Sequence, residues 1–359
     1  MTQFSLPSVH ADDEWSSLKA VIVGRAGRAC FPNAPAPMIR ATMPAAHVHR
    51  FQPESPFPED FIAKAEAELD AFAAILKAEG IKVYRPPDGI DWLAEKGYTG
   101  AMPRDGLMSV QNTLIEACFA WSCRLREIEL AFSDILNELA DDGRVTIVRR
   151  PADTFGDSLL DEDGTESNKW AINNSRPAFD TADFMRFGKV IVGQYSHVTN
   201  QAGVDYIQRH LPAGYRIQMI EVDDPHAMHI DATILPLREG LLVYHPTKVT
   251  EHELRKVETL ATWDLQPYPF VPQEPQDPPL FMTSPWLVLN ALVLDGKRMI
   301  VEASDRRTAE WYESLGMQCI PCPFKHVNSI GGSFHCATTD LVRNNGVELD
   351  GKSNPEGSG

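Results

Sequence analysis

The feature that most constrains this chain is a unit of strand, amphipathic helix and strand that recurs five times along its 359 residues. One such unit cannot bury its apolar face alone, so recurrence implies copies packed on one another. In the first copy a strand at 19–24 is followed, after a long loop, by a helix over 61–80. Ile62, Ala65, Leu69, Phe72 and Leu76 fall at three- and four-residue steps on one face of that helix. Gly80 suits the position just past its end, and a strand at 81–86 follows. The second copy has strands near 106–110 and 114–118, then a helix whose apolar face is Leu125, Ile128, Phe132, Ile135 and Leu139. Gly143 and a strand at 144–149 close it. The third has a strand at 189–193, a helix near 200–211, Gly214 and a strand at 215–220. The fourth runs from 240–244 through a helix opened by a capping box, Thr250 with Glu253, to 265–270. The fifth has 297–302, a helix near 306–315, Gly316 and 317–322.

Ahead of the later copies lie segments, read as extended, that carry unusual polar residues: MPRD (102–105), FDTAD (179–183), MHIDAT (228–233), TSPW (283–286) and FHCATTD (334–340). From Asp180 to His229, Ser284 and Cys336 the intervals are 49, 55 and 52 residues. Such regularity suggests five modules about a pseudo-fivefold axis, each placing its motif at the same end. The last motif strand has no helix after it. It can pair with the strand at 19–24 and close the ring, which removes open sheet edges. The alternative is an ordinary α/β chain whose spacing is accidental.

Three segments break the rhythm. Residues 25–60 carry seven prolines with His47 and His49, residues 152–178 are polar and acidic, and residues 267–285 carry another seven prolines. Loops of this length inside a compact domain form binding walls or lids, or are disordered. The organisation expected is a single domain over 1–345 with a disordered tail over 346–359. No run of about 18 apolar residues exists, so no membrane helix is expected. The first residues lack a basic and an apolar region, so a signal peptide is not expected and the cytoplasm is. With 33 Lys and Arg against 50 Asp and Glu, the net charge is −17. Such a surface repels nucleic acid and favours cationic small molecules, or serves solubility alone. The six cysteines include one CxxC, Cys319 and Cys322, inside an apolar run with no second pair, which reads as structural rather than metal-binding.

Cys336 follows Gly331-Gly332-Ser333-Phe334-His335, a glycine-rich approach that lets backbone pass close to a ligand. A cysteine there is either a small buried residue or a nucleophile with a partner that lowers its pKa. His229 is a candidate base. On a strand it shares a face with Asp231, a pairing suited to acid–base work on a cation. A metal set of His226, His229 and Asp231 is disfavoured because 226 and 229 would face apart. Asp180 and Asp183 could belong to a surface turn and Asp105 could cap one. Together, a Cys, a His and several Asp at matched places offer covalent catalysis at carbon and bidentate recognition of a guanidinium.

These motifs, together with QYSHVTNQAG (194–203), DPHAMHIDAT (224–233), MTSPWL (282–287) and NSIGGSFHCATTD (328–340), resemble the L-arginine:glycine amidinotransferase family and its bacterial inosamine-phosphate and lysine-accepting members. The resemblance runs from Glu14-Trp15 to about Asp340. It implies the pentein fold, an α/β propeller of five ββαβ modules around a pseudo-fivefold axis. It implies that Cys336 is the nucleophile, His229 the general acid/base and Asp180 the carboxylate orienting that histidine. Asp105 and Asp231 would grip the guanidinium, Thr283 and Ser284 would lie near the backbone end of the substrate, and Lys248 would hold its carboxylate in place of the family's arginine. His226-Ala227 stand where the animal glycine enzyme reads Asn-Pro, a departure that bears on the acceptor more than on arginine.

The resemblance thus implies transfer of the amidino group of L-arginine to an amine (glycine, lysine, another ω-amino acid or an amino-cyclitol) with release of L-ornithine. The route would be ping-pong through an amidino-cysteine, without cofactor or metal, in a homodimer. Two other readings are a hydrolase of the same fold that uses water as acceptor, and a non-catalytic arginine-binding protein.

Overall fold

The computed structural model describes residues 7–33, 36–43, 48–151, 159–160, 169–272, 277–283 and 285–344. Its strands form five sheets of three. The module that follows the first crossover is representative. β3 (Leu107–Val110) runs antiparallel to β4 (Thr113–Glu116), and β4 runs parallel to β5 (Thr146–Val148) after a helical crossover. The same order recurs in β6 (Phe184–Phe187), β7 (Val190–Gln194) and β8 (Arg216–Ile220), and in β9 (Ile234–Arg238), β10 (Leu241–Tyr244) and β11 (Asp264–Pro267). It recurs again in β12 (Leu292–Asp295), β13 (Arg298–Glu302) and β14 (Gln318–Cys322). The fifth sheet joins both ends of the chain. β1 (Ser17–Val23) lies between β2 (Lys82–Tyr84), parallel, and β15 (Thr338–Asn344), antiparallel, with Val21 opposite Asp340 and Val23 opposite Thr338. The expected closure is therefore present, and the five ββαβ modules are those of a pentein.

The middle strands β4, β7 and β10 are wholly buried, as strands covered on both faces are, and β13 and β1 are buried over Met299–Val301 and Ala20–Val23. The crossover helices cover the sheets. α1 (Glu59–Ala78) buries Ile62, Ala65, Leu69, Phe72 and Leu76, the face that the periodicity predicts. α2 (Ser133–Ala140) buries Ile135 and Leu139, and Leu125, Ile128 and Phe132 ahead of it are buried with them, so the whole expected face meets the core. A 3-10 turn at Ser122–Arg124 and a wide turn at Ile128–Phe132 precede α2, and this re-aims Arg124 into the interior. α3 (Gln201–His210) and α5 (Arg306–Ser314) open on side-chain caps, Asn200 to the Gly203 N–H and Asp305 to the Thr308 N–H. α4 (Glu251–Leu254) has half of its capping box. Thr250 accepts from the Glu253 N–H, whereas the Glu253 carboxylate turns away to the Glu221 N–H. Gly80 and Gly316 leave their helices at φ of 79° and 86°, the left-handed region that such a helix exit uses, and Gly214, at φ 86°, sits in the turn closed by the Tyr215 N–H and the Pro212 carbonyl.

The polar motifs are turns rather than the extended segments expected from sequence. Each is a single tight turn that delivers the chain into the first strand of a module: Pro103–Gly106 before β3, Thr181–Asp183 before β6, Ile230–Ala232 before β9, Pro285–Leu289 before β12 and residues 334–337 before β15. The reason is local. Pro103 pre-sets a helical φ at the first position, and His229 adopts φ 66°, which breaks any strand there. Five equivalent turns at one end of five equivalent sheets put their side chains in a common place.

Two long loops form one wall. Phe31 and Phe57 from residues 25–60 pack on Phe281 at ring distances of 5.5 Å each, and Phe61 of α1 joins at 5.1 Å. His47, Ser284, most of 152–168 and the tail from 345 lie outside the described residues. All six cysteines are free; Cys322 is buried and Cys319 half-buried on β14. Among the described residues no helix is long and apolar enough to cross a membrane.

Candidate active site

The turns converge on Cys336, which is buried with its Sγ 3.3 Å from Asp231 Oδ2 and 3.1 Å from Asn290 Nδ2. A ring nitrogen of His229 lies within 4.8 Å of the same sulfur, and its Nε2 lies 3.0 Å from Asp180 Oδ2. Its Nδ1 is 3.6 Å from Asp105 Oδ1. Strand alternation predicts His229 and Asp231 on one face. They stand instead on a turn, where the positive φ of His229 lets both side chains point inward. A non-glycine residue held there stores strain, which clusters at functional sites.

Arg124 binds both acidic partners of the histidine. Its Nη1 lies 3.0 Å from Asp105 Oδ2 and 3.1 Å from Asp180 Oδ2, while Glu127 takes its Nε and Nη2. On the other side His335 spans Asp231 (2.8 Å) and Glu14 (3.3 Å). Two carboxylate oxygens are left over. Asp105 Oδ1 and Asp231 Oδ1 are buried with no hydrogen-bond partner among the described residues. An unpaired buried acceptor costs about 1–3 kcal/mol, so such a pair marks a place prepared for a donor.

The electrostatics follow from burial and neighbours. Burial alone would lower the His229 pKa, but Asp105, Asp180 and the thiol raise it well above the ordinary value, so the ring is an imidazolium at neutral pH. Burial would likewise raise Asp231, yet His335 and His229 hold it below its usual range as a carboxylate. Asp105 is pushed up, by burial that outweighs His229 and Arg124. The Cys336 thiol is pushed up to about 12 by burial and by the Asp231 charge, against the pull of His229. Cys336 is thus a thiol, donating to Asp231.

His229, Asp231 and Cys336 line a cavity of about 370 Å³. Thr283, Leu287, Met228, Thr42 and Lys248 line it as well, with Lys248 Nζ 2.8 Å from Asp224 Oδ2. His226 also lines the cavity and bonds the Ala41 carbonyl through Nδ1 at 2.8 Å, which pins the 25–60 loop to the mouth. His226 is thereby committed elsewhere, and the metal set of His226, His229 and Asp231 does not assemble. Donor atoms of Asp105, His229 and Cys336 do lie within 4.8 Å of one another, close enough for a metal ion. Asp183 serves structure: it accepts from Gln194, Ser196 and Thr199 and holds the 194–199 loop.

Of the residues singled out by sequence, Cys336, His229, Asp180, Asp105 and Asp231 come together, and Lys248 and Thr283 share a cavity with Cys336, His229 and Asp231; Ser284 is outside the described residues. Sequence reasoning missed Arg124, Glu127, Asn290 and the role of His335. Asn290 alone left a signal, as one polar residue in an apolar stretch, Leu287 to Leu294.

No family model matches the chain. It is 37% identical over 348 residues to an L-arginine:L-lysine amidinotransferase from Pseudomonas savastanoi pv. phaseolicola, covering 93% of this chain and 94% of that protein. It is also 37% identical over 352 residues to the mitochondrial glycine amidinotransferase of Gallus gallus, covering 92% and 82%. Among solved structures, an amidinotransferase of the saxitoxin biosynthetic pathway from Microseira wollei superposes with a TM-score of 0.85 at 34% identity, over 94% of this chain and 98% of that one.

Proposed function

The chain belongs to the amidinotransferase family, and on that premise we propose how its buried cluster carries out the transfer. It is an enzyme that moves the amidino group of L-arginine to an amine acceptor. The observation that carries the site assignment is the pair of unpartnered oxygens, Asp105 Oδ1 and Asp231 Oδ1, beside the Cys336 sulfur and the His229 ring. A guanidinium is a planar cation with donors on several edges. Docked on those oxygens, its carbon lies against the thiol, and positioning of this kind contributes much of the rate.

The charge balance argues that arginine itself activates the nucleophile. The thiol is hard to ionise because it is buried and because Asp231 beside it is negative. A bound guanidinium neutralises that charge and places a positive one beside the sulfur, so the thiol pKa falls on binding. Cys336 passes its proton to the ornithine nitrogen, and the thiolate attacks the guanidino carbon and forms a C–S bond. The bond from that carbon to the ornithine nitrogen breaks, and the His229 imidazolium gives the leaving amine a further proton, so ornithine departs as an ammonium. The neutral imidazole then takes one proton from the incoming ammonium. The freed amine forms the new C–N bond, its second proton goes to sulfur with the returning C–S pair, and thiol and imidazolium are both restored. Asp180 orients the ring and favours its charged form.

Lys248 is assigned to the substrate carboxylate and Thr283 with Ser284 to its backbone end. The two relatives at equal identity name different acceptors, lysine and glycine, so the acceptor is assigned by class, as an amine. A cytoplasmic homodimer completes the proposal, and light scattering on the purified protein reads its mass. The runner-up, hydrolysis by water, is less supported, since the relatives of high identity are transferases. The experiment is mass spectrometry of protein mixed with arginine and no acceptor. One added amidino group on the Cys336 peptide, with one ornithine released, is expected. Continuous ornithine release without amine would mean hydrolysis, and full turnover by Cys336→Ala would overturn the assignment.

A further inference from the structure

Asn290 sits between the turn Pro285–Leu289 and β12, with no solvent exposure at all. Every polar atom of this residue near the site is committed to the catalytic turn. Its Oδ1 accepts the Cys336 backbone N–H at 3.0 Å, and its backbone carbonyl accepts the His335 N–H at 3.1 Å. Its Nδ2 lies 3.1 Å from the Cys336 sulfur and 3.3 Å from the Asp231 carbonyl.

The orientation of the amide is dictated by chemistry. A backbone N–H can only donate, so the atom facing it must be the oxygen, and the –NH2 end is thereby turned to the sulfur. A structural clasp accounts for the oxygen, on the Cys336 N–H, and for one nitrogen hydrogen, on the Asp231 carbonyl, which leaves the other hydrogen for the sulfur. The nitrogen end adds a hydrogen-bond donor aimed at the atom that carries negative charge during the reaction. Around that sulfur the neighbours otherwise divide into Asp231, which opposes the thiolate, and His229, which favours it but must part with its proton to the leaving amine. The Asn290 donor has no proton to lose and keeps its position through both half-reactions.

We propose that Asn290 is a further catalytic residue, whose Nδ2–H stabilises the Cys336 thiolate before attack and again when the C–S bond breaks and the electron pair returns to sulfur. The inference rests on Cys336 being the nucleophile. A preorganised donor at a buried developing charge is worth far more than in water, because no solvent need reorganise.

The test uses the full chain with Asn290→Asp and Asn290→Leu. The aspartate keeps an oxygen for the Cys336 N–H and loses the donor to sulfur, whereas the leucine loses both. Alkylation of Cys336 by iodoacetamide is followed by peptide mass spectrometry from pH 6 to 11, without arginine, beside kcat for arginine. Expected for both variants is alkylation at pH 8 slowed by about tenfold or more, which is one unit in thiol pKa, with kcat falling alongside and its pH profile displaced upward. Asn290→Asp with the wild-type alkylation profile and wild-type kcat would overturn the proposal and leave Asn290 a backbone clasp. Cys336→Ala separates the two levels of argument. If that variant turned arginine over, the nucleophile assignment would fail first, whatever the asparagine variants did.

Discussion

Asp231 does two opposed things to one sulfur. Its charge keeps the Cys336 proton on, and its free oxygen awaits a cation. Asp231→Asn should therefore raise the thiolate fraction while destroying the grip on arginine. We predict that the variant alkylates at Cys336 about tenfold faster than wild type near neutral pH, following one unit of thiol pKa, yet loses at least about a hundredfold in kcat/KM for arginine, or about 2.7 kcal/mol. Iodoacetamide kinetics beside ornithine release check both halves, and slower alkylation would refute the electrostatic account. A second expectation follows at Arg124, which bonds Asp105 and Asp180 together. Arg124→Met leaves those two buried carboxylates and Glu127 without their cation, so His229 is held by fewer ordered partners. A kcat loss of tenfold or more is expected, with a stability cost of about 3–5 kcal/mol for a broken buried pair, read by a kinetic assay and a denaturant melt. Legibility in the sequence divides along the same line. Cys336, His229 and Asp180 could be read because each sits in a short polar motif. Arg124 looks like any charge on an amphipathic helix, and it meets Asp180 only across 56 residues of chain. Asn290 meets Cys336 across 46. A role created by a distant contact leaves no local pattern.

Elements aim these residues, and α3 is the clearest case. Its capping residue Asn200 accepts the N–H of Gly203 and that of Ala178, so the start of the helix is stitched to the chain two residues before Asp180. Gly203 makes that contact possible: a Cβ there would lie 2.2 Å from the Ala178 carbonyl oxygen, a backbone atom that cannot rotate away. We predict that Gly203→Ala pushes the 178–180 segment off its seat and misplaces Asp180 against His229. Overpacking of this kind costs about 1–3 kcal/mol, and kcat should fall about tenfold or more although the substituted residue touches no substrate. Thermal melts with kinetics decide it; an active, fully stable variant would mean that the helix can retreat without moving the site. Helical periodicity gave the apolar faces of α1 and of the second crossover helix, Leu125 to Leu139, because a long apolar stripe has few other uses. It carried no sign of the irregular turns at 122–124 and 128–132 or of the buried Arg124 among them. Strand alternation failed at 228–233, where the φ of His229 makes a turn.

The whole molecule is a ring closed by β15 against β1, and a charge cluster sits where the closure meets its neighbours. Asp340 on β15 takes Arg104 at 2.7 Å from the turn before β3, Arg343 at 2.7 Å from its own strand, and Arg186 from β6. Arg186 in turn holds Glu14 at 2.7 Å, and Glu14 bonds His335 beside Cys336. One carboxylate thus ties three modules, and all its partners are buried. Burial acts to raise the Asp340 pKa, yet Arg104, Arg343 and Arg186 hold it well below the usual carboxylate range. The sign of the pH effect follows. A carboxylate whose folded pKa is depressed contributes stability that is complete above its unfolded value, about 3.9, and that is lost as pH falls through the folded pKa. Asp340→Asn leaves three buried guanidiniums short of an anion and should cost about 3–5 kcal/mol at pH 7. Because wild type loses this contribution in acid and the variant never had it, the gap between their melting temperatures should be widest near neutrality. It should narrow as pH drops below about 4. Paired melts from pH 3 to pH 8 measure that gap. A gap that stayed constant with pH would assign the loss to packing in the closed ring rather than to the charge at its seam.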